Sequence, residues 1–246
     1  MQFELENDEH DLFKHYVTVL PFNKEFELCL AGPAKLPVEI EGDVYVFNWY
    51  TWFKQPQENN KSYKKVSDQY PFNRICSSIL TYGDFKDSNE AFVRLHSVCQ
   101  TGDIFHSQKC DCGYQLNASL KEIVKTGTGA LFYIGYQEGR GIGLFNKNLA
   151  YILQERGFDT VEANNTLGLE DDYRDYNEPI IILKHLRTKP ISLLTNNPLK
   201  VEALKKYGVT ISQRIPLWGG ENSFNSKYLT TKRVKNNHYK QELIVK

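Results

Sequence analysis

Three of the chain's five cysteines stand close together as Cys99, Cys110 and Cys112, while Cys29 and Cys76 are isolated. Two thiolates two residues apart can bind one zinc ion from a single turn, and a third can reach in from a neighbouring element. Three ligands leave a tetrahedral zinc one open position, the arrangement in which a bound water turns acidic near neutral pH. Spacing alone leaves a structural site standing level with this, its fourth ligand being a residue such as His96 or His106. Three unrelated buried cysteines are disfavoured, because Thr101-Gly102-Asp103, Asp111 and Gly113 give the cluster a turn-like setting.

Three further strings carry polar chemistry. Gln137-Glu138-Gly139-Arg140-Gly141-Ile142-Gly143 follows a strand pattern and opens a helix pattern, so backbone N–H groups there could receive phosphate while Arg140 adds charge. A tight strand-to-helix loop with a solvated Glu-Arg pair is the commoner outcome for such a string, and the Gly-Lys-Ser/Thr ending of a P-loop is missing. In Leu194-Thr195-Asn196-Asn197-Pro198-Leu199-Lys200, Asn197 reads as an N-cap, Pro198 as the first helical residue and Lys200 as a first-turn cation. A lysine there opposes the helix dipole, so it either meets a bound anion or points to water. Glu170-Asp171-Asp172-Tyr173-Arg174-Asp175-Tyr176 is a loop of local ion pairs that its context raises to a candidate acid/base and charge site.

The elements that must position these residues follow from periodicity. Before residue 70, Tyr16 to Leu20, Phe26 to Leu30 and Val44 to Phe53 read as short strands, with turns at Gly32-Pro33 and Gly42-Asp43. A polar loop is expected over Gln55 to Lys65. Ala91 to Val98 alternates as a strand, and Cys112 to Lys125 sets Leu116, Leu120, Ile123 and Val124 on one helical face closed by Gly127. A strand over Gly129 to Tyr136 leads to a helix over Leu144 to Arg156, with Phe145, Leu149, Ile152 and Leu153 as its apolar side. After a loop at Gly168 to Asn177 come a helix at Pro179 to Leu186, a strand at Ile191 to Thr195, a helix at Pro198 to Tyr207 and a strand at Val209 to Ile215. This alternation predicts an α/β fold, a layered mixed β-sheet flanked by helices with a β-rich N-terminal region. The organisation reads as an N-terminal region over 1–90, a catalytic core over 91–218 and a polar, partly mobile tail over 219–246.

Lys and Arg number 30, as do Asp and Glu, so no basic groove for nucleic acid and no membrane-surface face is indicated. The acidic N-terminus lacks a signal-peptide pattern, and no stretch nears the roughly 18 apolar residues of a membrane span, which makes a cytoplasmic protein the expectation.

Taken in order, these strings resemble the GTP cyclohydrolase II family. The resemblance is carried by Arg94-Leu95-His96-Ser97-x-Cys99-x-Thr101-Gly102-Asp103, Cys110-Asp111-Cys112-Gly113-x-Gln115-Leu116, Gln137 to Gly143 with Asn146-Lys147, and Asp159-Thr160-Val161-Glu162-Ala163-Asn164. It continues through Asp172-x-Arg174-Asp175, Leu193 to Pro198 with Lys200 and Arg214-Ile215-Pro216-Leu217, with a fainter echo at Tyr228-Leu229-x-Thr231-Lys232. The resemblance implies that GTP loses pyrophosphate, and C8 as formate, to give 2,5-diamino-6-ribosylamino-pyrimidinone 5′-phosphate, the first committed step of riboflavin synthesis. It implies zinc on Cys99, Cys110 and Cys112, and Tyr151, Asp172 and Arg174 as catalytic residues. Substrate contacts are implied for Arg94, Leu95, His96, Ser97, Val98, Gln115, Glu138, Gly139, Arg140, Thr160, Thr195 and Lys200. Mg²⁺ on the triphosphate and a homodimer complete the family picture. The chain departs from it at Val98, where the family usually has Glu, and at Tyr133-Ile134-Gly135-Tyr136, where the strand is one residue longer and lacks the usual Arg.

Overall fold

The computed structural model describes residues 15–57 and 74–234. Eight strands form one sheet in the order β1-β2-β3-β4-β6-β5-β7-β8. They are β1 (Val17–Pro21), β2 (Phe26–Ile40), β3 (Asp43–Pro56), β4 (Ser77–Tyr82), β5 (Phe92–Ser97), β6 (Gly129–Ile134), β7 (Ile191–Leu194) and β8 (Ile211–Ile215). From β1 through β4 to β6 every pairing is antiparallel, whereas β6, β5, β7 and β8 run parallel. The helices are α1 (Gln100–Asp103), α2 (Cys112–Thr126), α3 (Gly143–Glu155), α4 (Thr160–Thr166), α5 (Asn177–Leu186), α6 (Pro198–Lys206) and α7 (Ser226–Val234), with a kinked stretch at Gly135–Gly141 that is only in part 3-10 helical.

The expected α/β class and β-rich N-terminal region are what the chain forms. The N-terminal strands are longer than their apolar runs suggested, because Gly32-Pro33 is a bulge inside one 15-residue strand, and pairing resumes at Ala34↔Trp49. The hairpin turns at Glu41 and Gly42, both at positive φ, which matches the twist of the flanking strands. Gln55 and Pro56 belong to β3, and of the expected Gln55 to Lys65 loop residues 58–65 lie outside the described residues.

Apolar packing covers both faces of the sheet. On one, Trp52, Ile79, Val93, Leu95, Phe132 and Leu193 meet Ile180, Ile182 and Leu183 of α5 and Val201 and Leu204 of α6. On the other, Phe47, Phe92, Leu131 and Leu194 meet Ile123 of α2, with Leu116, Leu120 and Val124 packed beside it as the 3.6-residue period predicted.

Helix α3 departs from its period. Phe145 and Ile152 of the apolar stripe are 76% and 42% exposed, while Lys147 and Ala150 are the buried positions. The helix is turned by its polar contacts, because the Lys147 ammonium finds an acceptor cluster that the stripe could not provide. Four elements went unread: β4, the short α1 and α4 and, within the segment taken as a polar tail, α7. Helix α4 did carry a signal, since Asp159 and Glu162 form a reciprocal capping box.

Candidate active site

Strand β5 lies between β6 and β7, so the chain crosses to one side of it by α2 and to the other later, and loops diverge at its C-terminal end. Such a switch point opens a crevice beyond the strand ends. Here a cavity of about 770 Å³ takes residues from the end of β5, from the segments that follow β6 and β7 and from α2, α3, α4, α6 and α7.

Cys99 follows β5, and Cys110 and Cys112 flank the start of α2. Their three sulfur atoms lie within 4.8 Å of one another, with Cys99 Sγ to Cys110 Sγ at 3.7 Å. Thiolates at about 2.3 Å from one tetrahedral zinc would stand about 3.8 Å apart, so the trio fits such an ion. The fit depends on Gly102, where a Cβ would meet Cys110 Sγ at 2.8 Å and Cys99 Sγ at 3.2 Å. His96 is not a fourth ligand: it is 2% exposed and its Nε2 pairs with Asp103 at 3.1 Å, while its ring stacks on Tyr133. His106 is exposed, and the cysteines are the metal-ligating trio found among the described residues.

Around the sulfurs the polar groups are locked together. Lys147 Nζ stands 3.3 Å from Cys99 Sγ, 2.9 Å from Thr101 Oγ1 and 2.7 Å from Glu138 Oε1. The second Glu138 oxygen accepts the Gln100 N–H at 2.7 Å. Tyr151, one turn after Lys147, lies in the cavity lining, and burial pushes its phenol above the usual value, so it keeps its proton. Asp111, between the two cysteines, accepts from Lys232 Nζ at 2.6 Å and from Gln115 Nε2 at 2.5 Å. Gln115 Oε1 accepts from Arg94, whose other terminal nitrogen donates to the Leu194 carbonyl at 3.0 Å. Burial lowers Arg94 to about 10, against the pull of Asp111.

Farther along the cavity, Arg174 grips Asp172 through Nε to Oδ1 at 2.8 Å and Nη2 to Oδ2 at 2.5 Å, a two-pronged geometry that only arginine offers. Lys200 is 5% exposed and donates to the Leu95 carbonyl at 2.7 Å, so it does not point to water. Its ammonium is pushed well below its usual value by burial, and further by Arg94, Arg174 and Lys232. Thr195 is buried with its Oγ1 accepting the Asn197 N–H at 3.0 Å, and Ser97 donates to Gln137 Oε1 at 2.7 Å. Val98, Gly139, Arg140 and Thr160 complete the cavity lining among the residues expected to meet substrate. Of the whole expected set only Leu95 stays out, its side chain fully buried in the core and its carbonyl engaged by Lys200. Gln137 to Arg140 are not helical, so the glycine-rich string is a looped turn ahead of α3.

Sequence reasoning missed Lys147, Asp111 and Lys232 as site residues. Lys147 and Asp111 lay inside quoted motifs without a role, and Lys147 had one further signal, a lysine four residues before Tyr151 and hence on the same helical face. Lys232 lay in the faint echo after Trp218, and nothing local tied it to Asp111.

Fold and site define an α/β protein whose parallel strand ends present a zinc-fitting cysteine trio to a pocket ringed by buried basic side chains. The sequence matches the family model described as GTP cyclohydrolase II over residues 60–216. It is 46% identical over 178 residues to the GTP cyclohydrolase-2 of Haemophilus influenzae (strain PittGG), covering 72% of this chain and 82% of that protein. The GTP cyclohydrolase-2 of Buchnera aphidicola subsp. Baizongia pistaciae is 53% identical over 161 residues, 65% of this chain and 80% of its own. The chain belongs to the GTP cyclohydrolase II family, a family of enzymes. No helix among the described residues is long and apolar enough to cross a membrane.

Proposed function

We propose that this chain hydrolyses GTP at the purine ring, releasing C8 as formate and the two outer phosphates as pyrophosphate, the reaction that the resemblance to the GTP cyclohydrolase II family implies. The observation that carries the reading is the cysteine trio at zinc-like sulfur spacing in the same cavity as a cluster of buried basic side chains. When bound to Cys99, Cys110 and Cys112, zinc supplies Lewis acidity and a nucleophile at neutral pH.

The chain's own residues do the rest. Gln115 has its amide orientation fixed, because Arg94 can only donate to its oxygen and Asp111 can only accept from its nitrogen; the remaining lone pair and N–H suit the guanine edge. Tyr151 holds a proton at its phenol oxygen for the opening ring. Arg174 and Lys200 offset charge at the α-phosphate, while Arg140, Thr160 and Thr195 bind the outer phosphates. Both Asp172 oxygens are taken by Arg174, so its part is to hold the guanidinium rather than to accept a proton freely. A guanidinium with a pKa above about 12 is a poor nucleophile, which favours charge stabilisation over a covalent role for Arg174. Mg²⁺ arrives on the triphosphate and neutralises the departing pyrophosphate. The same reading carries a homodimer.

Incubation of zinc-loaded protein with GTP and Mg²⁺ tests this, with formate and pyrophosphate measured beside a Cys110→Ser control. Both products, lost together in the control, are expected. Pyrophosphate without formate would favour the second reading, motivated by Val98 in the cavity wall, of a divergent enzyme that stops at the formamide.

A further inference from the structure

The family model's match ends at residue 216, and the segment beyond it, which carries the faint echo at Tyr228 to Lys232, reaches the cavity: Phe224, Tyr228 and Lys232 all line it. Local contacts fix this segment. Tyr114 of α2 donates to the Trp218 carbonyl at 3.3 Å, and Asn225, fully buried, donates to the Gly220 carbonyl at 2.7 Å and accepts the Asn222 N–H at 2.9 Å. Leu229, 1% exposed, anchors α7 itself. Helix α7 therefore presents Lys232 against the start of α2, its ammonium 4.5 Å from the centre of the Tyr228 ring.

What Lys232 meets there is a carboxylate with two duties. Asp111 is 2% exposed, and its oxygens are divided, one to Lys232 and the other to Gln115. A buried carboxylate needs a charge partner, since removing one partner of such a pair leaves the other uncompensated. Without the ammonium, the Asp111 carboxylate would keep the neutral amide of Gln115 as its side-chain hydrogen-bond partner and only the more distant charge of Arg94, and would turn or draw in water. Gln115 would then lose the acceptor that holds its amide nitrogen, leaving the bond from Arg94 alone to hold the side chain.

We propose that Lys232 is a positioning residue for nucleobase recognition, acting from α7 through Asp111 to orient the Gln115 amide. The chain Lys232–Asp111–Gln115–Arg94–Leu194 ties the C-terminal helix to the end of β7 across the cavity floor. This rests on GTP being the substrate. Its signature is loss of base discrimination with the metal site intact, because Asp111 holds Gln115 by its side chain whereas Cys110 and Cys112 bind by their own.

The test compares zinc-loaded wild type, Lys232→Met and Lys232→Arg with GTP and with ATP as the wrong-base competitor. The wild type must first release formate; if it does not, the functional reading fails and this inference with it. Given activity, Lys232→Met is expected to raise KM for GTP about tenfold and to narrow the GTP-over-ATP preference by a similar factor. It should keep zinc at wild-type stoichiometry, and Lys232→Arg should restore both quantities to within about threefold. Unchanged KM and base preference in Lys232→Met overturns the proposal, as does loss of zinc with base preference retained. If Lys232→Met does not fold by thermal melting, Lys232→Gln, which keeps a neutral donor, takes its place under the same criteria.

Discussion

Lys147 Nζ lies 3.3 Å from Cys99 Sγ and 2.7 Å from Glu138 Oε1, so one buried ammonium joins the cysteine trio to the glycine-rich turn. Three thiolates around a dication leave a net negative charge, and a fixed cation beside them offsets it. Groups that touch metal ligands tune affinity by about 10–100-fold when removed. Lys147→Met should therefore weaken zinc binding by about tenfold or more, measured by competition with a chromogenic chelator. Equal affinity in the two proteins would show that the contact is incidental.

Gly102 gives a sharper steric test. A methyl there would sit 2.8 Å from Cys110 Sγ, inside the distance real Cβ atoms keep, and a tight 3.1 Å from Cys112 Cβ. Overpacking of this kind costs about 1–3 kcal/mol, and here the strain falls on the metal-binding turn. Gly102→Ala should fold with a lowered melting temperature and substoichiometric zinc. Full metal content by elemental analysis would mean that the turn relaxes freely.

At the other end of the cavity, Arg174→Lys tests the fork on Asp172. Lysine keeps the charge but cannot make two parallel bonds, so the cation is no longer aimed. Turnover should fall about 10²–10³-fold, the range for losing one preorganised charge-stabilising donor, with a much smaller change in KM. Turnover within a few-fold of wild type would remove Arg174 from the chemistry.

Lys200 links function to pH. Burial and its cationic neighbours hold its ammonium well below the usual value, so the folded protein binds fewer protons than the unfolded one between that lowered value and about 10.4. Stability then rises with pH across this window, and the penalty is present in full below it. An arriving triphosphate reverses the balance by favouring the charged form, so binding at a pH inside the window should take up a proton. Calorimetric titration in two buffers of different ionisation enthalpy would detect the uptake. Lys200→Met should abolish it, weaken GTP binding about tenfold or more, and raise the melting temperature of the free protein by about 2–4 °C. A lower melting temperature for this variant would contradict the account.

Most of the site was legible because it rests on local chemistry. The cysteine spacing, the Asn197-Pro198 helix start and the Asp172-Arg174 pair each declare themselves within a few residues, and each occurs as a formed feature. Long-range pairing was not legible. Asp111 and Lys232 are 121 residues apart, and nothing in either neighbourhood signals the other. Helix α3 shows the same limit from the opposite side, because its apolar stripe predicted one buried face and the acceptors around Lys147 decided another. In the sheet, Gly32-Pro33 looked like a turn because local punctuation is the same for a turn and a bulge, and only the partner strand distinguishes them.

The central claim is that C8 leaves the purine as formate. Zinc-loaded protein should be given GTP isotopically labelled at C8, with Mg²⁺, and the label followed by NMR. The account predicts that the signal moves to free formate in step with pyrophosphate release, and that neither occurs in Cys110→Ser. A label that stays on the nucleotide, whether as intact purine or as a ring-opened formamide, would contradict it.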